Sequence, residues 1–199
     1  LTKGRRYYVT VKAENGEGTQ SAPSSSDGQL MPALILEAGW NLVGVSMQSA
    51  QLEPAADLGA GGNMYEIIGV DAMTFTELSN ETTVDLAIGK GYWIYSASPI
   101  SDINTGGSEY SGTYQWSNLD SGWHLISDPF GAPVDWSSAN ADLECGGSAE
   151  PLVNLYYYDP SAGGYEKIEP DAGQGMEPWK AYWMHLGSDE CDLSIIETD

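Results

Sequence analysis

The chain has 199 residues, 41% hydrophobic and 11% aromatic, which is room for one large β domain or two small ones, each burying a modest core. Its 29 acidic against 7 basic side chains leave a formal charge of -22 and a pI near 4.1. That balance argues against a nucleic-acid partner, whose phosphates require Lys and Arg, and disfavours an anionic membrane surface. No run approaches the roughly 18 to 20 uninterrupted apolar residues of a membrane span, so no membrane insertion is expected.

At the start, Tyr7, Val9, Val11 and Ala13 alternate with less apolar residues, the period of a strand buried on one side. Asn15-Gly16-Glu17-Gly18 then supplies residues that tolerate positive φ, so a hairpin is expected. Leu1, Gly4, Tyr7, Val9, Val11, Ala13 and Asn15 match the penultimate strand of a fibronectin type III domain, and residues 1–28 resemble the C-terminal part of such a domain. The resemblance implies that Tyr7 is the tyrosine corner of that sandwich. Ser21 to Pro32 is rich in Ser, Pro and Gly and reads as linker, with residues 29–33 as the linker proper. The start Leu1-Thr2-Lys3-Gly4 lacks the form of a signal peptide, so any export signal is expected outside this segment.

The rest of the chain repeats itself. Leu36-Glu37-Ala38-Gly39-Trp40-Asn41-Leu42-Val43 returns 83 positions later as Leu119-Asp120-Ser121-Gly122-Trp123-His124-Leu125-Ile126. Thr74 to Leu78 returns 90 positions later as Gly164 to Ile168, and Lys90-Gly91-Tyr92-Trp93-Ile94 as Lys180-Ala181-Tyr182-Trp183-Met184. The second copy therefore carries a net insertion of seven residues, which falls around Gly131 to Leu152. Residues 34–110 form the first β unit and 111–199 the second.

Strands are expected near 34–45, 63–69, 73–78, 91–96 and 100–104, then near 113–127, 153–158, 164–169, 180–186 and 192–196. Glu53 to Leu58 and Ser137 to Leu143 have room for one helical turn each. The fold class is all-β: two tandem sandwich- or barrel-like units behind a fibronectin-like hairpin. Residues 39–45 and 89–94 resemble the Gly-Trp-Asn-Leu and Gly-Tyr-Trp repeats of large secreted and surface proteins of bacteria and archaea. The second copy keeps Gly122-Trp123 and Tyr182-Trp183 and departs at His124 and Ala181. That resemblance implies an accessory unit of a multidomain extracellular protein, secreted or at the cell surface.

Catalytic signatures are missing. His124 and His185 are the only histidines, and Asn41 and Tyr95 replace them in the first copy. Neither a Gly-x-Ser-x-Gly elbow nor a phosphate-cradling glycine loop nor a His-Glu-x-x-His helix is present, so no enzyme is expected. Among the carboxylates, Asp135, Asp142, Glu144 and Asp159 of the second copy are candidate ligands for a structural calcium ion, which accepts oxygen donors from irregular loops. The rival for each is a solvated acidic surface. Cys145 and Cys191 fit one disulfide in an oxidising compartment, or two buried thiols.

Carbohydrate binding needs exposed aromatic faces. Trp40, Trp93, Trp123 and Trp183 recur in both copies beside apolar strand residues and are expected in the cores. Trp116, Trp136 and Trp179 have no aromatic counterpart in the first copy and are the candidate binding face, joined by Tyr156 and Tyr158 on one side of a strand. The function expected is a non-catalytic carbohydrate-binding or adhesive module, its partner a polysaccharide, a cell-surface glycan or neighbouring domains of the same protein. The alternative is a structural spacer of a surface layer or filament.

Overall fold

The computed structural model describes residues 6–7, 10–14, 20–25, 29–30, 34–68 and 74–197, and the fold over them is all-β. Among the described residues ahead of Leu34, Arg6–Tyr7 pairs with Gln29–Leu30, and Thr10–Val11 with Ser24–Ser25, all antiparallel, while the expected turn at Asn15 to Gly18 lies outside the described residues. Two expectations change there. Segments assigned to a linker carry the return strand, because backbone pairing needs no apolar side chain. Val11 is 61% exposed, so its face is not buried. Leu1, Gly4, Val9 and Asn15, which carry part of the fibronectin resemblance, lie outside the described residues, as does the Tyr7 side chain.

The two repeats fold on one plan. In the first, a four-stranded antiparallel sheet runs in the order Thr74–Glu77, Asn63–Ile68, Gly91–Ser96, Gly39–Gly44. In the second, Gly164–Ile168, Leu155–Asp159, Ala181–Leu186 and Gly122–Ser127 take the same places. A second layer packs on each sheet. It includes Leu34–Leu36 paired with Ile100–Ile103 in the first repeat, and Thr113–Leu119 paired with Cys191–Ile196 in the second. Leu36, Met64, Tyr92 and Ile94 meet between the layers of the first repeat, and Leu155, Tyr182, Met184 and Leu193 between those of the second. A helical turn forms at Pro54–Asp57, with proline at its first position, where no amide is needed.

The insertion is a β-hairpin. Ala141–Cys145 and Ser148–Glu150 extend the second layer beyond Cys191–Ile196, and the segment expected as a helical turn to Leu143 instead becomes a strand at Ala141. Alternation dictates this: Ala141 and Leu143 are buried while Asp142 and Glu144 are exposed. Cys145 and Cys191 stand directly opposite in register and form a disulfide, which ties the inserted strand to its neighbour. No helix among the described residues is long and apolar enough to cross a membrane.

Candidate binding cleft

Each element of the Gly-Trp motif has a separate local task. Gly39 and Gly122 take φ of +100° and +116° in the turn that enters the strand, a region costly for any residue with a Cβ. The next residue but one closes that turn: Asn41 Oδ1 accepts the Glu37 N–H at 2.9 Å and its Nδ2 donates to the Glu37 carbonyl at 2.9 Å. His124 reaches back by the same four positions, its Nε2 2.7 Å from the Asp120 carbonyl. Strand alternation then turns the intervening tryptophan to the opposite face of the sheet, away from the core of its own repeat.

That outer face is aromatic. In the first repeat Trp40 stands opposite Tyr95, and Trp93 is flanked by Leu42 and Tyr65 on the neighbouring strands. Trp40 and Trp93 make an edge contact at 6.1 Å and 89°. The second repeat reproduces it with Trp123 and Trp183 at 6.4 Å and 89°, and with Tyr156 in the place of Tyr65. Phe75 and Tyr165 hold equivalent places on the outer strands, so two quartets of rings are related by the repeat.

The two faces meet where side chains are smallest. Gly44 donates its N–H to the Trp179 carbonyl at 3.1 Å, and Val45 donates to Ser127 Oγ at 3.0 Å. Ser127 in turn donates its N–H to the Gly89 carbonyl at 3.0 Å. A Cβ on Gly44 would lie 2.2 Å from the Lys180 carbonyl oxygen, and one on Gly91 would lie 2.5 Å from Leu125 Cγ, so both must be glycine for the repeats to approach this closely. Around the crossing, Leu42, Ala181 and Trp183 are buried between the copies. Trp93 and Tyr158 touch across it at 5.3 Å and 62°.

Together the two quartets and Tyr158 line a cleft of about 990 Å³, and among the described residues its lining is wholly aromatic. Trp40 is 43% and Trp123 38% exposed there. Phe75 and Tyr165 are exposed as well. Burial holds the Tyr165 hydroxyl above the ordinary phenol range, opposed by a hydrogen bond from Trp183. The cations of the repeats lie in ion pairs: Lys90 with Glu66, Lys167 with Glu169, and Lys180 with Glu177 at 2.9 Å. Lys180 also lies 4.8 Å from the Tyr157 ring centroid. The Tyr157 hydroxyl is pushed up to about 12, by burial first and then by its hydrogen bond to Glu166.

The sequence candidates divide. Tyr156 and Tyr158 do line the cleft. Trp136 does not: it is 1% exposed in the second core, with Nε1 donating to the Val153 carbonyl at 2.9 Å. Nor does Trp179, 7% exposed, which enters the core of the first repeat. Trp116 is half-buried and donates its indole N–H to Gly89 at 3.0 Å. The three tryptophans without an aromatic counterpart in the first copy serve packing, and three of the four recurrent tryptophans expected in the cores are cleft residues with exposed or half-buried rings. Trp183, buried between the copies, also lines it. The apolar neighbours that suggested a core belong to strands buried on both faces, one against the repeat's own second layer and the other toward the second copy.

Asp135, Asp142, Glu144 and Asp159 do not converge. Asp135 sits on Val134–Asp135, Asp142 and Glu144 project from the inserted strand, and Asp159 accepts hydrogen bonds from Ser161 in a turn. Among the described residues no three acidic, histidine or cysteine side chains group as a metal site. The His185 ring packs 5.0 Å from Trp123.

No family model, no curated protein and no solved structure matches the chain.

Proposed function

We propose that this chain is a non-catalytic binding module of an extracellular protein, and that the cleft between its repeats takes carbohydrate. The observation that carries this reading is the all-aromatic lining, with Trp40 and Trp123 presenting exposed rings from equivalent positions. Aromatic rings offer flat faces to the C–H groups of sugars, and the hydroxyls of Tyr65, Tyr156, Tyr158 and Tyr165 supply hydrogen-bonding groups at the same surface. The Cys145–Cys191 disulfide supports an oxidising, extracellular setting.

Affinity electrophoresis through gels containing neutral polysaccharides tests the reading. Retardation is expected, and it should be lost in Trp40→Ala and Trp123→Ala, whose rings lie outside both hydrophobic cores. Migration unchanged by every polysaccharide rejects it.

A second reading, a rigid structural spacer, is favoured by one observation. Trp179 of the second repeat fills the core of the first, which joins the two units into one packed body.

A further inference from the structure

Resting on the carbohydrate reading, we infer that the ligand is an uncharged linear glycan long enough to lie against both repeats at once. Three observations carry this. First, the recognition surface is duplicated: Trp40 and Trp123 are equivalent rings of opposite quartets, and Tyr158 bridges the quartets by touching Trp93 of one and Tyr165 of the other. A ligand that meets both exposed tryptophans therefore lies against both repeats. The cleft volume of about 990 Å³ lies at the upper end of the roughly 300 to 1,000 Å³ typical of ligand pockets, and so has space for several rings.

Second, the repeats offer no cation to an acidic ligand. From position 34 onward there is no arginine, and the only lysines, Lys90, Lys167 and Lys180, are each already paired with a carboxylate. The chain as a whole carries -22, so a uronate, sulfate or phosphate group would be repelled on approach and unpaired on arrival. Third, among the described residues the lining is wholly aromatic and carries four phenol hydroxyls. Such a surface fits a ligand with flat C–H faces and peripheral hydroxyls better than an acyl chain.

The test is a titration of intact protein, followed by tryptophan fluorescence and calorimetry, with β-1,4-glucose oligomers from glucose to cellohexaose, with the N-acetylglucosamine series, and with acidic galacturonate oligomers. Affinity for a neutral series is expected to rise by about tenfold or more from disaccharide to hexamer, a step of one decade in Kd. Galacturonate oligomers are expected not to bind, above all at low salt, where electrostatic repulsion is least screened. Trp40→Ala and Trp123→Ala should each flatten the length dependence while leaving a single cooperative urea transition. A disaccharide that binds as tightly as the hexamer, or an acidic oligomer that binds as tightly as its neutral counterpart, overturns this inference and leaves the carbohydrate reading standing. If no saccharide of any length or charge binds, both fall.

Discussion

Asn41 and His124 hold the same place in the two repeats and close the same turn, each bonding to the residue four positions before it. An amide serves both the N–H and the carbonyl of Glu37, whereas the imidazole serves only the Asp120 carbonyl. Asn41 is 5% exposed, so Asn41→Ala removes a buried side chain together with the two hydrogen bonds that close the turn, and should lower stability by about 1–3 kcal/mol. His124→Asn is expected to be neutral or slightly stabilising, since it restores the first repeat's arrangement. Urea unfolding of both variants checks this; an Asn41→Ala protein as stable as the parent would remove the turn-closing role.

Trp179 couples the repeats through its backbone as well as its ring. Its N–H donates to Ser46 Oγ at 2.9 Å, and that hydroxyl donates to the Asp128 carbonyl at 2.7 Å. Its φ of +63° is unfavourable for a residue with a Cβ, and it is sustained by the buried ring in the first repeat's core. Trp179→Ala should cost about 3–5 kcal/mol by the cavity it leaves. The backbone hydrogen bonds across the crossing survive this truncation, so the two repeats should still unfold in a single transition. Separate transitions for the two repeats would show that the packing between them is weaker than this geometry requires.

Much of this architecture was legible in the sequence, because strand alternation and the 83- and 90-position repeats survive in the residue pattern. The long strands appear where Trp93, Tyr182 and their neighbours predict them. Short strands such as Ala50–Leu52 and Val84–Leu86 carry too few residues to show a period. The cleft was harder to read. When both faces of a strand are apolar, alternation says that Trp40 and Val43 point opposite ways but not which way leads to solvent. One signal was available: Gly44 and Gly91 face each other at the ends of paired strands, where glycine marks a close approach of another backbone or side chain.

Asp128 is fully buried, with Oδ1 accepting the Phe130 N–H at 2.9 Å and Oδ2 without a partner among the described residues. Burial raises its carboxyl to about 8, with Glu197 adding to the rise and the Phe130 hydrogen bond opposing it. An unfolded aspartate titrates near 3.9, so between roughly pH 4 and 8 the folded chain holds a proton that the unfolded chain has released. Stability from this group is therefore complete below about pH 4 and declines as pH rises toward 8. Asp128→Asn, which keeps an acceptor for Phe130 without the charge, should match the parent at pH 4 and exceed it at pH 8. Parallel stability curves for the two proteins across that range would refute the assignment.

The cleft depends on how closely the two sheets approach, and Gly91 sets that distance. A Cβ there would lie 2.5 Å from Leu125 Cγ and 2.6 Å from Ala181 Cβ, so Gly91→Ala must push the repeats apart or displace Leu125. Overpacking of this kind costs about 1–3 kcal/mol. Gly164 is the control, since a Cβ on it meets nothing within 4 Å and its φ is not positive. Gly164→Ala should leave stability and cleft unchanged. Gly91→Ala should also alter the fluorescence of the tryptophans, because Trp93 and Trp183 stand next to the displaced contacts. Equal stability and identical spectra for the two variants would mean that the crossing is loose, and that the cleft is not shaped by the approach of one repeat to the other.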